Sequence, residues 1–288
     1  MIHPKAVVDQ GVVLGSDVKV GAYAVIEEGV KLGNGVSVKP FAHLKGKTEV
    51  GDNTVIGTGA LIGEAPQILG IRKNEGKLFI GKSNIIREYV TIHTSSSPDK
   101  MTSVGDNNYL MGFSHVAHDC RLENNIVVCN GALLAGHINV GSNAFISGNV
   151  VVHQFVRVGR LAMIAGLSRV NQDVPPFMMV VGNSKVWGLN LVGIKRERFS
   201  KSEIEDTKKA YNILYRKRLS VKNALNRLQC INSQKAQEIA QFISGSRRGI
   251  CGHKRGSFFE KIFLDYPYFL CLTVSSFRLL RKRQRGAK

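Results

Sequence analysis

Aliphatic residues recur at every sixth position along most of this chain. The series runs Ile2, Val8, Leu14, Val20, Ile26, Leu32, Val38, Leu44, Val50, Ile56 and Ile62. It resumes at Ile80, Ile86 and Ile92, then continues in the same phase from Val104 to Val170. All 26 anchors are Ile, Leu or Val, which a background of roughly one apolar residue in two does not supply by chance. Two positions earlier stand small or β-branched residues, such as Ala6, Val12, Ala24, Val30 and Thr48. Apolar positions two apart share one face of extended backbone. Gly often follows the anchor, as at Gly15, Gly21, Gly33, Gly51 and Gly57, and is expected to supply the turn. Six residues then make one flat side of a prism, and three sides close a coil of about 18 with the anchors stacked inside. The anchors suffice for nearly nine coils, a stack roughly 40 Å tall at ~4.8 Å per coil. A β-sandwich requires no such strict phase.

The phase survives two interruptions, at 63–79 and 93–103. Each therefore reads as an excursion that leaves the prism at a corner and rejoins it. Loops this long in a regular solenoid are usually functional. The repeat is expected to stop near Val174-Pro175-Pro176, because proline cannot donate to a ladder. Ser200-x-x-Glu203 has capping-box spacing, followed helically by Ile204, Thr207, Tyr211 and Leu214. Ser220 is placed to cap a second helix with Ala224, Leu225 and Leu228, and 234–243 predict a third with Ile239, Phe242 and Ile243. The expected organisation is an all-β parallel β-helix over 1–190, a small α-helical domain over 191–250 packed on its open end, and an extension over 251–288.

Charge adds a partner to this picture. The 288 residues include 40 Lys or Arg and 21 Asp or Glu, a net +19. Residues 245–288 alone carry 11 basic residues against Glu260 and Asp265, so about half of the excess lies in the body of the chain. Such an excess suits an anionic partner. The repeat has no aromatic-interleaved basic motif, so nucleic acid is not expected. The chain opens without a basic segment followed by an apolar core, so no signal peptide is expected. No uncharged apolar run reaches the ~18 residues of a membrane span. The five cysteines lack CxxC spacing and read as free thiols of a reducing cytoplasm.

The candidate chemistry lies in the histidines. Four of the eight fall in the middle of the repeat: His115, His118, His137 and His153. On an 18-residue coil, His118 stacks below Gly136 and Gln154, with His137 and His153 one residue off that column. Two chemistries fit. One is a zinc site built from neutral imidazoles, as in a γ-carbonic-anhydrase-like lyase. The other is general base catalysis, with Asp119 fixing the His118 tautomer and the Gly136 N–H stabilising an oxyanion. Further on, Gly193-Ile-Lys195-Arg196-Glu-Arg198 carries three basic residues in four, which suits a diphosphate or a solvated surface.

Hexads followed by helices, with AHDC, LAGH, VHQF, QDVPP and GIKR-x-x-FS in this order, resemble the UDP-N-acetylglucosamine O-acyltransferases of lipid A biosynthesis. The resemblance covers about residues 1–250. It implies a left-handed β-helix, although the general crossover rule favours the right hand. It implies a cytoplasmic homotrimer with clefts between prisms. There a (3R)-hydroxyacyl group passes from acyl carrier protein to the 3-hydroxyl of UDP-N-acetylglucosamine, without metal or organic cofactor. His118 matches the general base, Asp119 its orienting residue and Gly136 the oxyanion donor. Gln67, His115, His137, His153 and Gln154 match residues lining the substrate cleft, and Asn190 and Arg196 match nucleotide and phosphate contacts. Gly166 matches the position that sets acyl length. An acidic carrier protein complements the basic surface. Three positions depart from the family pattern: Ile68 stands for an Asp, Gly70 for a Lys and Glu197 for an Arg. Arg72 and Lys73 are placed to substitute. These departures leave open a 3-amino sugar nucleotide as substrate, or a non-catalytic binding homologue. Residues 258–288 set aromatic and aliphatic residues before the basic run Arg281–Lys288. That order suits peripheral contact with an anionic inner-membrane surface, the alternative being a foreign extension.

Overall fold

The computed structural model describes residues 1–70 and 76–253, and Met1–His253 form one compact unit. Short parallel strands stack into three sheets. The first face climbs from Val7–Val8 through His43–Leu44, Leu61–Glu64, Thr91–His93, His115–Val116, Leu133–Leu134 and Val151–Val152 to Arg169–Val170. The second runs from Val13–Leu14 to Arg157–Val158, and the third begins at Lys19–Val20. The chain is a left-handed parallel β-helix. Every anchor from Val20 to Val170 is buried. Each such Val, Leu or Ile removed from water stabilises the stack by about 1.5–3 kcal/mol. Only Ile2, Val8 and Leu14, at the open N-terminal end, keep solvent contact.

The turns differ from the sequence reading. The left-handed residue falls three positions after the anchor, and it is mostly not glycine: Tyr23, Phe41, Phe113, Asp119, His137 and Phe155 all have φ near +60°. Such a conformation costs an L-residue about 1–2 kcal/mol, and the aromatic ones recover part by stacking, Tyr23 on Phe41 and Tyr89 on Phe113 at 5.2 Å. The glycine directly after the anchor answers a different need. A Cβ on Gly57 would lie 2.4 Å from the backbone carbon of Arg87 in the next coil. Closeness between coils, not turn geometry, excludes a side chain there.

The excursions are shorter than the breaks in the anchor series. Strands Leu61–Glu64 and Lys77–Ile80 bracket the first, and strands Thr91–His93 and Met101–Val104 bracket the second, so the loops span 65–76 and 94–100. Pairing of Ile62 with Ile92 and of Ile92 with Val116 closes the prism across both loops. A bulge between Ile62 and Glu64 sets Glu64 opposite His93, where Gly63 takes φ +86°. Bulges of this kind re-aim side chains.

The prism continues past Pro175 and Pro176. Met178–Val181 pairs in parallel with Met163–Ile164, and Lys185–Leu189 then returns antiparallel to it. Pro175 has no N–H to give where Gly159 donates to Val174, and the segment that follows on this edge, 249–251, bonds Asp173 instead. Helix α1, Leu191–Arg196, is capped by Asn190. Helix α2, Lys201–Tyr211, has both reciprocal bonds of the Ser200/Glu203 capping box. Helices α3, Val221–Gln229, and α4, Gln234–Ser244, follow. Arg160 makes a bidentate pair with Glu238 of α4, and Arg157 bonds Asp173 while lying 4.3 Å from the Phe242 ring centre. Cys251 donates its N–H to Asp173, and Gly252–His253 pairs with Lys185–Val186. The first residues of the expected extension, 251–253, are thus part of this unit, and the basic aromatic segment 258–288 lies outside the described residues.

Gly57→Ala is expected to lower unfolding stability by about 1–3 kcal/mol through overpacking. Gly188→Ala, where an added Cβ meets nothing within 4 Å, should shift it by less than about 0.5 kcal/mol. Equal shifts in the two denaturation midpoints would show that coil spacing is not the constraint at Gly57.

Candidate active site

Three successive coils of the first face build the site. His115–Val116 is a strand of that face, and the chain turns the corner at Asp119, whose φ is +59°. That turn folds the Asp119 carboxylate back onto its neighbour, so His118 Nδ1 lies 2.8 Å from Oδ2. Both side chains are nearly buried. Burial alone would push the Asp119 carboxyl up, but hydrogen bonds from Ser96, His118 and Ser95 outweigh it and hold it at about 2. The carboxylate therefore accepts from Nδ1–H, and His118 Nε2 keeps its lone pair for the cleft.

One coil on, Gly136 carries the His118 ring against its backbone. A Cβ there would lie 2.5 Å from Cε1 and 2.6 Å from Nε2. At the matching place of the next corner, after second-face anchors, the N–H groups of Ser16, Asn34, Lys82 and Asp106 donate to side-chain oxygens of the following coil, and at Gly136's own corner the Glu28 N–H donates to Asp9 of the preceding coil. Among the described residues the Gly136 N–H has no acceptor. The next coil offers His153 and Gln154 at this level.

The cleft in front of His118 holds about 290 Å³ and is lined by Gln67, His93, His115, Gly136 and Gln154 with the apolar Leu133 and Val151. An adjoining hollow of about 450 Å³ adds His153 and Arg169. His137 stands behind, edge-on to His118 at 5.1 Å and stacked on Phe155 at 4.5 Å. Burial, then the neighbouring His118, holds His115 down, and burial holds His137 down against the pull of Asp119. His93 is held down to about 4 by burial and by His115, whose ring lies 4.8 Å away. His93, His115 and His137 are thus each shifted toward the neutral imidazole.

The structure brings Gln67, His115, His118, Asp119, Gly136, His137, His153 and Gln154 together. It does not bring Gly166, Asn190 or Arg196 to the same cleft. Gly166 precedes the strand three coils beyond His118, about 14 Å along the axis at ~4.8 Å per coil. The Asn190 amide is committed to the backbone, donating to Leu161 and accepting from Gly193. Arg196 ends α1 in solvent. Gly70 faces open space, Ile68 is partly exposed, and Arg72 and Lys73 lie outside the described residues. The sequence reading missed His93, Ser95 and Ser96. Only the pairing of Ile92 with Val116 reveals His93 beside the cleft.

His118, Asp119 and His137 offer ligand atoms within 4.8 Å of one another. The donor set nevertheless reads as a hydrogen-bonded dyad. Asp119 Oδ2 already accepts from His118 and twice from Ser96, and Oδ1 faces Ser95. Oδ2, the oxygen that faces both rings, is thus occupied by donors and is not free to bridge a cation between His118 and His137.

Residues 173–251 match the family model described as UDP N-acetylglucosamine O-acyltransferase domain 2, and residues 29–64 match the bacterial transferase hexapeptide model. An acyl-carrier-protein–UDP-N-acetylglucosamine O-acyltransferase of Halorhodospira halophila is 44% identical over 86% of this chain and 98% of its own length. The crystal structure of the UDP-N-acetylglucosamine acyltransferase of Francisella novicida superposes with a TM-score of 0.85 at 35% identity, covering 88% of this chain and 95% of that one. That of Campylobacter jejuni gives 0.84 at 37% identity, with 88% and 100% covered. On the strength of that full-length similarity, and of a His–Asp pair and an unpaired glycine N–H in one cleft, this chain belongs to the UDP-N-acetylglucosamine O-acyltransferase family.

Proposed function

We propose that this chain transfers a (3R)-hydroxyacyl group from acyl carrier protein to the 3-hydroxyl of UDP-N-acetylglucosamine, the first step of lipid A biosynthesis. The observation that carries the mechanism is the placement of His118 Nε2 and the Gly136 N–H in one cleft. His118 Nε2 takes the 3-hydroxyl proton as that oxygen attacks the thioester carbonyl. The Gly136 N–H meets the oxyanion of the tetrahedral intermediate. Asp119 stabilises the imidazolium. Collapse breaks the carbon–sulfur bond, and the proton on His118 passes to the departing thiolate. The sugar keeps a new ester and the carrier leaves as a thiol. His93, His115 and His137, each shifted toward the neutral imidazole, limit competing charge beside the imidazolium.

Gln67, His115, His137, His153 and Gln154 are the proposed sugar and acyl contacts, with Leu133 and Val151 as apolar wall. Gly166, further along the same side, leaves room for a long chain. The active assembly is a homotrimer with clefts between prisms, a reading supported by the partly exposed apolar side chains Ile85, Phe145 and Met163 on the third face. Arg196 is the proposed nucleotide and phosphate contact in that assembly, on the helix that Asn190 caps. The basic body of the chain suits an acidic carrier protein. Among the described residues no helix is long and apolar enough to cross a membrane. Free Cys120, Cys129, Cys230 and Cys251 suit the cytoplasm. Ile68, in place of a sugar-binding carboxylate, supports a second reading in which the acceptor is a 3-amino sugar nucleotide. Parallel assays with hydroxyacyl carrier protein and each acceptor decide between them, and transfer to neither would favour a binding homologue.

His118→Ala should fold normally and lose at least about a hundredfold in kcat. Full activity would sink the mechanism. Gly136→Ala should also fold and lose kcat on the order of a hundredfold, because the new methyl displaces the His118 ring. The third expectation concerns pH. The unfolded chain protonates His93 near 6.5 and the folded chain only near 4. Stability is therefore full above pH 6.5 and falls by about 3 kcal/mol as pH drops to 4. His93→Gln should flatten that slope in denaturant unfolding at pH 7 and pH 5, and an unchanged slope would remove His93 as its source.

A further inference from the structure

The Asp119 carboxylate has two imidazoles within reach. Oδ2 lies 2.8 Å from His118 Nδ1 and 3.7 Å from His137 Nε2. An aspartate carboxyl rotates easily about its last torsion, so something must decide which ring it serves. The second excursion touches both of its oxygens. Ser96 donates to Oδ2 from its hydroxyl at 2.6 Å and from its backbone N–H at 3.3 Å. Ser95 Oγ lies 2.9 Å from Oδ1. Ser95 has one hydroxyl proton and also lies 2.9 Å from the Ser97 carbonyl. The ionised carboxylate is the stronger acceptor of the two. On the backbone side, the Asp119 N–H donates to Thr102 Oγ1 at 2.7 Å, where the chain rejoins the prism.

The Thr94 and Ser95 N–H groups donate to Glu64 and Lys77 of the preceding coil, but the serine hydroxyls of this clamp serve Asp119 and not the stack. Residues 94–100 carry no anchor, and Ile92 pairs with Val116 directly. The other groups facing Asp119 do not set its orientation. Cys120 has its thiol pushed up to about 12 by burial and is neutral. Lys100, at the end of the excursion, acts on His137 and lowers it.

We propose that Ser96, assisted by Ser95, is a positioning residue for the transfer reaction: by pinning the Asp119 carboxylate it commits Oδ2 to His118 and withholds it from His137. This rests on His118 being the base. Its consequence is a fixed tautomer, with Nδ1–H bonded and Nε2 free to accept the sugar proton. The clamp also keeps Asp119 ionised. Without the serine hydroxyls, burial is less opposed and the carboxyl climbs from about 2, so acid inactivation begins at higher pH.

The test compares Ser96→Ala, Ser96→Thr and Ser96→Val in the full chain, with hydroxyacyl carrier protein and UDP-N-acetylglucosamine as substrates. Thr and Val share a shape and differ in the hydroxyl. Ser96→Ala and Ser96→Val should lower kcat on the order of tenfold, with KM changed less than about twofold. The acid limb of kcat/KM should move up by about one pH unit. Ser96→Thr should restore both. Low-field proton NMR should show the His118 Nδ1–H signal, identified by its loss in His118→Ala, displaced in the Ala and Val variants and retained in the Thr variant. Folded Ala and Val variants with an unmoved acid limb and an unmoved imidazole signal would overturn the proposal, as would equal behaviour of Thr and Val. An inactive His118→Ala beside an unaffected Ser96→Val would remove the clamp alone, whereas an active His118→Ala would remove the base reading itself.

Discussion

The rest of the structure depends on the stacking of one inward aliphatic side chain upon another, coil after coil, at the spacing of hydrogen-bonded parallel strands. That contact demands an anchor every sixth residue and tolerates almost nothing between coils. It explains why Gly57 cannot carry a methyl where Arg87 passes beneath the same space. It explains why the chain accepts left-handed φ at tyrosine, phenylalanine and histidine corners: the corner must close, and an exposed side chain there does not disturb the stack. It also confines insertions to corners, since an extra residue within a face would turn every later anchor outward.

The site is a by-product of the same geometry put to chemical use. A corner that must adopt a left-handed turn places Asp119 against His118. The close approach of coils that requires glycines elsewhere requires Gly136 over the imidazole. The N–H that the next corner satisfies with a side chain of the following coil has no acceptor at Gly136 among the described residues. The excursion that interrupts the repeat supplies Ser95 and Ser96, which no regular coil could offer at that height. A nearly invariant scaffold thus acquires function from three local irregularities: a glycine without a side-chain acceptor above it, a bulge after Ile62, and a loop folded over a carboxylate.

Much of this was legible before any coordinates. The six-residue phase identified the prism, the buried anchors and the column containing His118, Gly136 and Gln154, because stacked coils turn sequence separation into height. The Ser200/Glu203 pair marked its helix for the same local reason that makes any capping box readable. The turn chemistry was misread: a glycine after each anchor looks like a turn residue in one dimension, whereas its need for space comes from a coil some 18 residues away. His93 was invisible for a related reason. Phase six names an inward position, but the face depends on how many residues each excursion consumes.

The sequence by itself determined the repeat, its inward residues, the helical segments and the His–Asp pair, since each is set by periodicity or by neighbours in the chain. Only the tertiary structure decided which histidines share a cleft, that Asn190 is spent on capping α1, that the fold extends through Gly252–His253, and that Ser96 grips Asp119. These depend on where two irregular loops rejoin the prism and on what the final coil packs against. Such long-range closures have no period, so the chain could not announce them in advance.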